Sequence, residues 1–188
     1  MCKNPVFRGG AMASIKSCNI RAIIGLGNPG QNYYYHRHSI GFRILDELAQ
    51  RYGVKWLDKD SLRITQIALG EHKIMLIKPM TYMNSSGAAM AYLIKQGIQP
   101  HNVLVVHDEI EKPFGTLTFK LGGSHKGHNG LRSIISACCD DFARLRFGVG
   151  RPEDKEEVPD YVLSNFDESD DAINEQIDKA VGMIEDLY

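Results

Sequence analysis

Residues 25–30 read Gly-Leu-Gly-Asn-Pro-Gly, "GLGNPG", directly after the apolar run "AII". The spacing is that of G-x-G-x-x-G, the loop that cradles a dinucleotide pyrophosphate. That use requires a helix opening within the loop and an acidic residue about 20 positions further on. Pro29 instead pushes Asn28 out of the helical region, and Pro29-Gly30 reads as a turn. The following "QNYYYHRHS" has no helical periodicity, Gln50 and Arg51 occupy the acidic position, and Asp46 and Glu47 fall within a helical pattern. The stretch is therefore read as a strand-to-turn element that presents a side-chain amide, Asn28, shortly before His36 and His38.

Outward from this turn, strands alternate with helices. Arg21–Leu26 reads as a buried strand, and 40–52 has apolar residues at helical spacing, ended by Gly53. Leu62–Leu69 and Lys73–Lys78 form a hairpin across "GEH". Ser85–Gln96 is helical, and Val103–His107 ("VLVVH") is a central buried strand. Thr116–Leu121 is a strand that runs into the glycine-rich "GGSHKGHNG". A helix over 131–139, a strand over Leu145–Val149 and an acidic amphipathic helix over 167–186 complete the chain. The pattern predicts one α/β domain, residues 20–188, with a mixed twisted β-sheet flanked by α-helices. Residues 1–19, which lack a secretory apolar core, are expected to be an extension outside the fold.

The chain of 188 residues carries a net charge of −1 that conceals a division. Residues 1–152 hold 20 basic and 10 acidic residues, whereas 153–188 hold 2 and 13. The segment 119–152 is especially basic, which suits a surface for a polyanion. No apolar run reaches the length of a membrane span, so no membrane association is expected. Four cysteines without framework or zinc-finger spacing suit a reducing, cytoplasmic setting.

Polar residues stand just beyond several strands: Asn28, Asn84 in "TYMNSSG", Asp108 in "VHDE" and Asn129 in "GHNG". Ligands of open α/β sheets bind beyond the carboxyl ends of the strands. Singly, each is also an ordinary turn or cap residue, Asn84 and Asn129 above all. Together with His38 they describe hydrolysis of an ester or amide. A histidine oriented by Asp108 is a general base, water is the nucleophile, and amide NH₂ groups stabilise an oxyanion. No G-x-S-x-G elbow offers a serine nucleophile. His36-x-His38 and His125-x-x-His128 are weak metal spacings without H-E-x-x-H, so neither metal nor cofactor is expected. His72 and His101 read as surface turn residues, while His107 and His125 stay open between core, loop and site roles.

The segments "GLGNPG..Y", "RHS.G", "KP.TYMN.SG", "HDE......G", "K.GGSHKGHNGL.SI" and "F.RLR.G.GRP" run in order from about residue 20 to 166. In this combination the chain resembles the bacterial-type peptidyl-tRNA hydrolases. The resemblance implies a monomeric α/β protein without cofactor or obligate protein partner. Its implied activity is cleavage of the ester between a peptide and the tRNA 3′ end. It further implies His38 as base, Asp108 as its orienter and Asn28 beside them. Asn84 and Asn129 would hold substrate, and Tyr33, Met83 and His128 would line the cleft. Lys120 and Arg146 fall on tRNA phosphate positions, a surface that the charges of Lys126 and Lys155 extend. Two departures stand out. Ser39 follows the histidine where asparagine is common, and a cap on the helix opening at Ile40 is expected of its hydroxyl. Ser124 and Lys126 replace frequent glycines in the loop. An RNA-binding protein without hydrolysis on the same fold is the alternative, against which the complete set of Asn28, His38 and Asp108 argues.

Overall fold

In the computed structural model, which describes residues 11–188, the run after Arg21 becomes β1 (Ala22–Gly25), the central strand of a seven-stranded sheet. It pairs in parallel with β4 (His72–Pro79) on one side and β5 (Val103–Glu109) on the other. β5 pairs in parallel with β7 (Ala143–Gly148). Antiparallel strands finish both edges. β3 (Leu62–Leu69) lies on β4 and β2 (Leu57–Lys59) on β3, while β6 (Leu117–Leu121) lies on β7. The order β2-β3-β4-β1-β5-β7-β6 is a mixed sheet, as the alternation of elements predicts.

All seven residues of β5 are buried, because helices cover both faces of the sheet. Strand alternation sends Ile23, Leu104 and Val106 to one face, against α3 (Ile40–Arg51) and α7 (Asp170–Glu185). Ile24, Val103 and Val105 go to the other, against α4 (Gly87–Lys95) and α5 (Asn129–Ala137). The opening turn of α3 sits almost on the backbone of β1. A Cβ on Gly25 would stand 2.4 Å from Gly41 O, and one on Gly41 2.5 Å from Leu26 N and Val106 O. Glycine at both positions is what lets the helix approach so closely.

Several local readings are revised. One helical turn, α2 (Gln31–Tyr34), follows the "GLGNPG" turn after Gly30, whose φ is +103°. It is too short to show a period. β2 and α6 (Val158–Val162) are short for the same reason. The helix expected over 131–139 begins two residues earlier and ends at Ala137, leaving Cys138 as its C-cap and Cys139 beyond it. The largest revision concerns the extension. Ala11–Lys16 forms α1, and Ile15 is fully buried in the α3/α7-side core. Asn102 further ties the segment down by donating to Cys18 O and Asn19 O. Residues 11–19 thus pack on the fold, and only 1–10 lie outside the described residues. Ile15→Ala should therefore lower unfolding free energy by roughly 2–4 kcal/mol in urea titrations, as for other buried isoleucines. A loose extension would leave the transition unmoved.

Candidate active site

His38 lies in a 3-10 turn (Arg37–Ser39) that leads into α3, and Asp108 is the second-last residue of β5. The Gly25/Gly41 contact brings the two together, and His38 Nδ1 is 2.9 Å from Asp108 Oδ1. A second imidazole converges on the same oxygen, with His128 Nε2 3.0 Å away. The His128 tautomer follows from its other nitrogen. Nδ1 accepts from the N–H groups of Gly130 and Leu131 at 3.1 and 3.3 Å, capping α5, so the proton is on Nε2. Asp108 thus receives one N–H from each ring, which leaves Nε2 of His38 with the lone pair a base requires.

The charges follow this geometry. Burial works to raise the Asp108 pKa, but His38 and His128 outweigh it and hold the carboxyl well below its usual range. For His38, burial disfavours the charged ring, yet the charge and hydrogen bond of Asp108 prevail and raise its pKa. Burial dominates at His128 and lowers it.

Asn28 is buried, with its backbone and side chain both engaged. Its N–H donates to Ser39 Oγ at 3.1 Å, and its Oδ1 accepts from Met83 N–H at 2.9 Å. The amide oxygen is therefore committed, and NH₂ is what Asn28 offers a substrate. The helix cap expected of Ser39 is not made. Its hydroxyl instead joins the "GLGNPG" turn to the turn that carries His38. Tyr33 packs edge-on against Tyr82, and Met83 packs so closely on Gly130 that a Cβ there would meet Met83 Sδ at 2.5 Å. Asn84 is exposed, with only a 3.5 Å contact from Ser85 Oγ, and Asn129 is also exposed. Neither caps a helix by its side chain, since His128 performs that task for α5.

A cavity of about 340 Å³ opens beside this group. His38, Asp108, His128 and Asn129 line it together with Lys120, Lys126, Arg146 and Lys155. Asn28, Tyr33, Met83 and Asn84 are not among its lining residues, so the expected site divides into two groups, joined where Asn28 N–H meets Ser39, the residue after His38. Burial and then the charges of Arg144, Arg146 and Lys126 lower the Lys120 pKa, because these cations stand close together. Lys126 holds a left-handed backbone with φ +45°, strained for a residue with a Cβ.

Two contributors were not apparent in the sequence, and a third, His107, stood open there between core, loop and site roles. Arg144, counted there among surface cations, is buried and donates to the carbonyls of Gly123 and Ser124, so it holds the glycine-rich loop from below. Arg37 is buried beside His38 and donates to Ser164 Oγ, Asn165 O and Asp167 Oδ2, with its guanidinium 4.1 Å over the Tyr161 ring. It fastens the segment after α6, whose Val158, Pro159 and Val162 form a cavity wall. His107 is buried edge-on against His128, 5.1 Å between centroids, and bonds Asp108 O through Nδ1. Only the place of Arg37 beside His38 in "RHS" and of Arg144 two residues before Arg146 in "RLR" hinted at the first two.

His38, Asp108 and His128 present donor atoms within 4.8 Å of one another, a spacing compatible with a metal ion. The protonation pattern does not fit one. A cation would meet N–H groups on both rings, and freeing Nε2 of His128 would put a proton on Nδ1 against two backbone N–H donors.

Burial, then the neighbouring His128 charge, drives the His107 pKa from 6.5 down to about 3. The unfolded chain therefore takes up this proton first. The stability tied to the neutral ring is complete above pH 6.5 and drains away as pH falls toward 3. Urea titrations at about pH 7 and about pH 4.5 should differ by roughly 2–3 kcal/mol more for the wild type than for His107→Gln. Equal losses in both proteins would refute that assignment.

The model of the peptidyl-tRNA hydrolase family matches residues 22–188. A peptidyl-tRNA hydrolase of Sulfurimonas denitrificans is 45% identical over 150 residues, covering 80% of this chain and 79% of that one. That of Aquifex aeolicus is 41% identical over 167 residues, covering 87% of each. The crystal structure of the Acinetobacter baumannii peptidyl-tRNA hydrolase superposes with a TM-score of 0.80 at 36% identity, covering 88% of this chain and 84% of that one. The fold is thus shared with peptidyl-tRNA hydrolases, and the chain belongs to the peptidyl-tRNA hydrolase family.

Proposed function

We propose that the chain hydrolyses the ester that joins a peptide to the 3′ end of tRNA, acting as a monomer in the cytoplasm without metal or cofactor. The observation that carries this reading is the His38–Asp108 pair, in which the carboxylate takes up Nδ1 and leaves Nε2 of His38 for proton transfer in a cation-lined cavity. His38 Nε2 takes a proton from water as the water oxygen attacks the ester carbonyl. The resulting oxyanion is met by amide NH₂ groups, Asn28 above all, whose own oxygen is occupied by Met83 N–H. Collapse breaks the bond to the ribose oxygen, which receives the proton from His38. The products are a peptide carboxylate and a tRNA with a restored hydroxyl.

Asp108 keeps the correct tautomer and stabilises the imidazolium formed in the first step. His128 helps hold Asp108 and walls the cleft. Tyr33 and Met83 border the amide side, where peptide would lie, with Asn84 further out and Asn129 at the cavity edge. Lys120 and Arg146 take tRNA phosphate, extended by Lys126 and Lys155. RNA binding without hydrolysis would need these cations but not an oriented base.

Release of tRNA from an N-blocked aminoacyl-tRNA tests the reading directly. His38→Ala should lose roughly 10²–10⁴-fold in kcat, the usual worth of a general base. Because the Asp108 charge raises the His38 pKa, the acidic limb of kcat/KM should centre above the ordinary 6.5. Asp108→Asn should move that limb to lower pH as well as slow the reaction. Absence of wild-type cleavage would leave the RNA-binding reading in its place. For the cations, Lys120→Ala and Arg146→Ala should raise KM and each reduce the slope of log KM against log salt by about one. An unaltered slope would mean that neither touches phosphate.

A further inference from the structure

Two carboxylates stand among the cations of the cavity. Glu109 Oε2 lies 3.6 Å from Arg146 Nη1, with both side chains largely buried, and Glu111 Oε1 lies 2.8 Å from Arg151 Nη1 nearer the rim. The fold requires little of the Glu109 charge. Its Oε1 accepts from Glu111 N–H at 3.2 Å, a bond that a glutamine oxygen makes equally well. The pairing with Arg146 is loose, beyond ordinary hydrogen-bond length, and Arg146 Nε is buried without a partner. Arg146 thus meets the cavity with its Nη groups engaged only by this loose pairing, and any phosphate drawn to them comes up against the Glu109 carboxylate.

We propose that Glu109 is a specificity-determining residue, a fixed anion that makes RNA phosphate compete for Arg146. The proposal rests on the reading of this cavity as a tRNA phosphate site. Cation clusters attract all RNA, and the electrostatic part of that attraction is blind to sequence and ester alike. A built-in carboxylate subtracts from every phosphate contact at Arg146. Only a ligand that also fills the cleft beside His38 recovers the loss, so discrimination grows at the expense of raw affinity. Glu111 does the same to Arg151 more weakly, since both side chains are more exposed.

The test measures RNA affinity by fluorescence anisotropy alongside kinetics on N-blocked aminoacyl-tRNA. Glu109→Gln should bind deacylated tRNA and poly(U) about 3- to 10-fold more tightly, with poly(U) gaining at least as much. KM should fall by a clearly smaller factor than the poly(U) Kd, and equal factors would mean that Glu109 sets affinity and not selectivity, which also overturns the proposal. Glu111→Gln should move the same way by about 2-fold, and it decides the matter if Glu109→Gln does not fold. Glu71→Gln makes the same charge change on the exposed β3–β4 turn, at the opposite end of the strands from the carboxyl ends that carry Asp108, and should alter nothing. Unchanged or weaker poly(U) binding in Glu109→Gln would overturn the proposal. Failure of the hydrolase reading has a different signature, since wild type would then not cleave, while the anisotropy measurements would still report on Glu109.

Discussion

One buried oxygen, Asp108 Oδ1, receives N–H groups from both His38 and His128. A carboxylate taken from water at the end of a fully buried strand is unfavourable unless its charge is met. The two rings supply that compensation, and in doing so each has its protonation pattern imposed. His38 is left basic at its outer nitrogen, while His128 turns its other nitrogen toward the first N–H groups of α5. A single ionic group thereby specifies a base, a helix start and one wall of the cleft. The backbone follows from this requirement. His38 can reach Asp108 only because Gly25 and Gly41 let the opening of α3 rest on β1 and β5.

The surrounding contacts hold the rest of the site to that centre. Ser39 Oγ links the turn of Asn28 to the turn of His38, and Asn28 Oδ1 takes the N–H of Met83. Arg37 anchors the segment that closes the cavity, and Arg144 grips the carbonyls of the glycine-rich loop. Each of these groups is buried and multiply bonded, so few alternative arrangements are open to them. The left-handed Lys126 is tolerated on such a frame, where Arg144 fixes the loop just before it.

What the sequence disclosed follows from the range of the forces involved. Long periodic segments such as 40–52 and the β-branched run 103–107 were legible, since local pattern and burial agree there. The short elements β2, α1, α2 and α6 carry too little pattern to read, whereas the equally short strands β1, β6 and β7 are marked by apolar runs. His38, Asp108 and Asn28 were legible as a chemical set, because unusual residue types clustered beyond strands. The tasks of Ser39, Arg37 and Arg144 were not. A serine before a helix looks like a cap, and an arginine in a basic run looks like surface. Only the tertiary partners, 11 residues away for Ser39 and 127 for Arg37–Ser164, reveal otherwise.

The near-zero net charge is likewise a sum over separated regions. The acidic helix α7 binds the outer side of α3, where Asp178 and Glu185 pair with Arg51, and none of its residues lines the cavity. Screening limits the reach of exposed charges to roughly 10 Å at moderate salt, so the acidic face leaves the cavity field largely intact. Inside the cavity the balance is struck by different groups at shorter range. Asp108 is spent on two imidazoles, while Glu109 and Glu111 stand within reach of Arg146 and Arg151. On the reading proposed for Glu109, their partial neutralisation makes the site less adhesive to RNA than a count of its cations suggests. On that same reading, selectivity has to come from what the remaining cleft recognises, the ester proposed to lie beside His38.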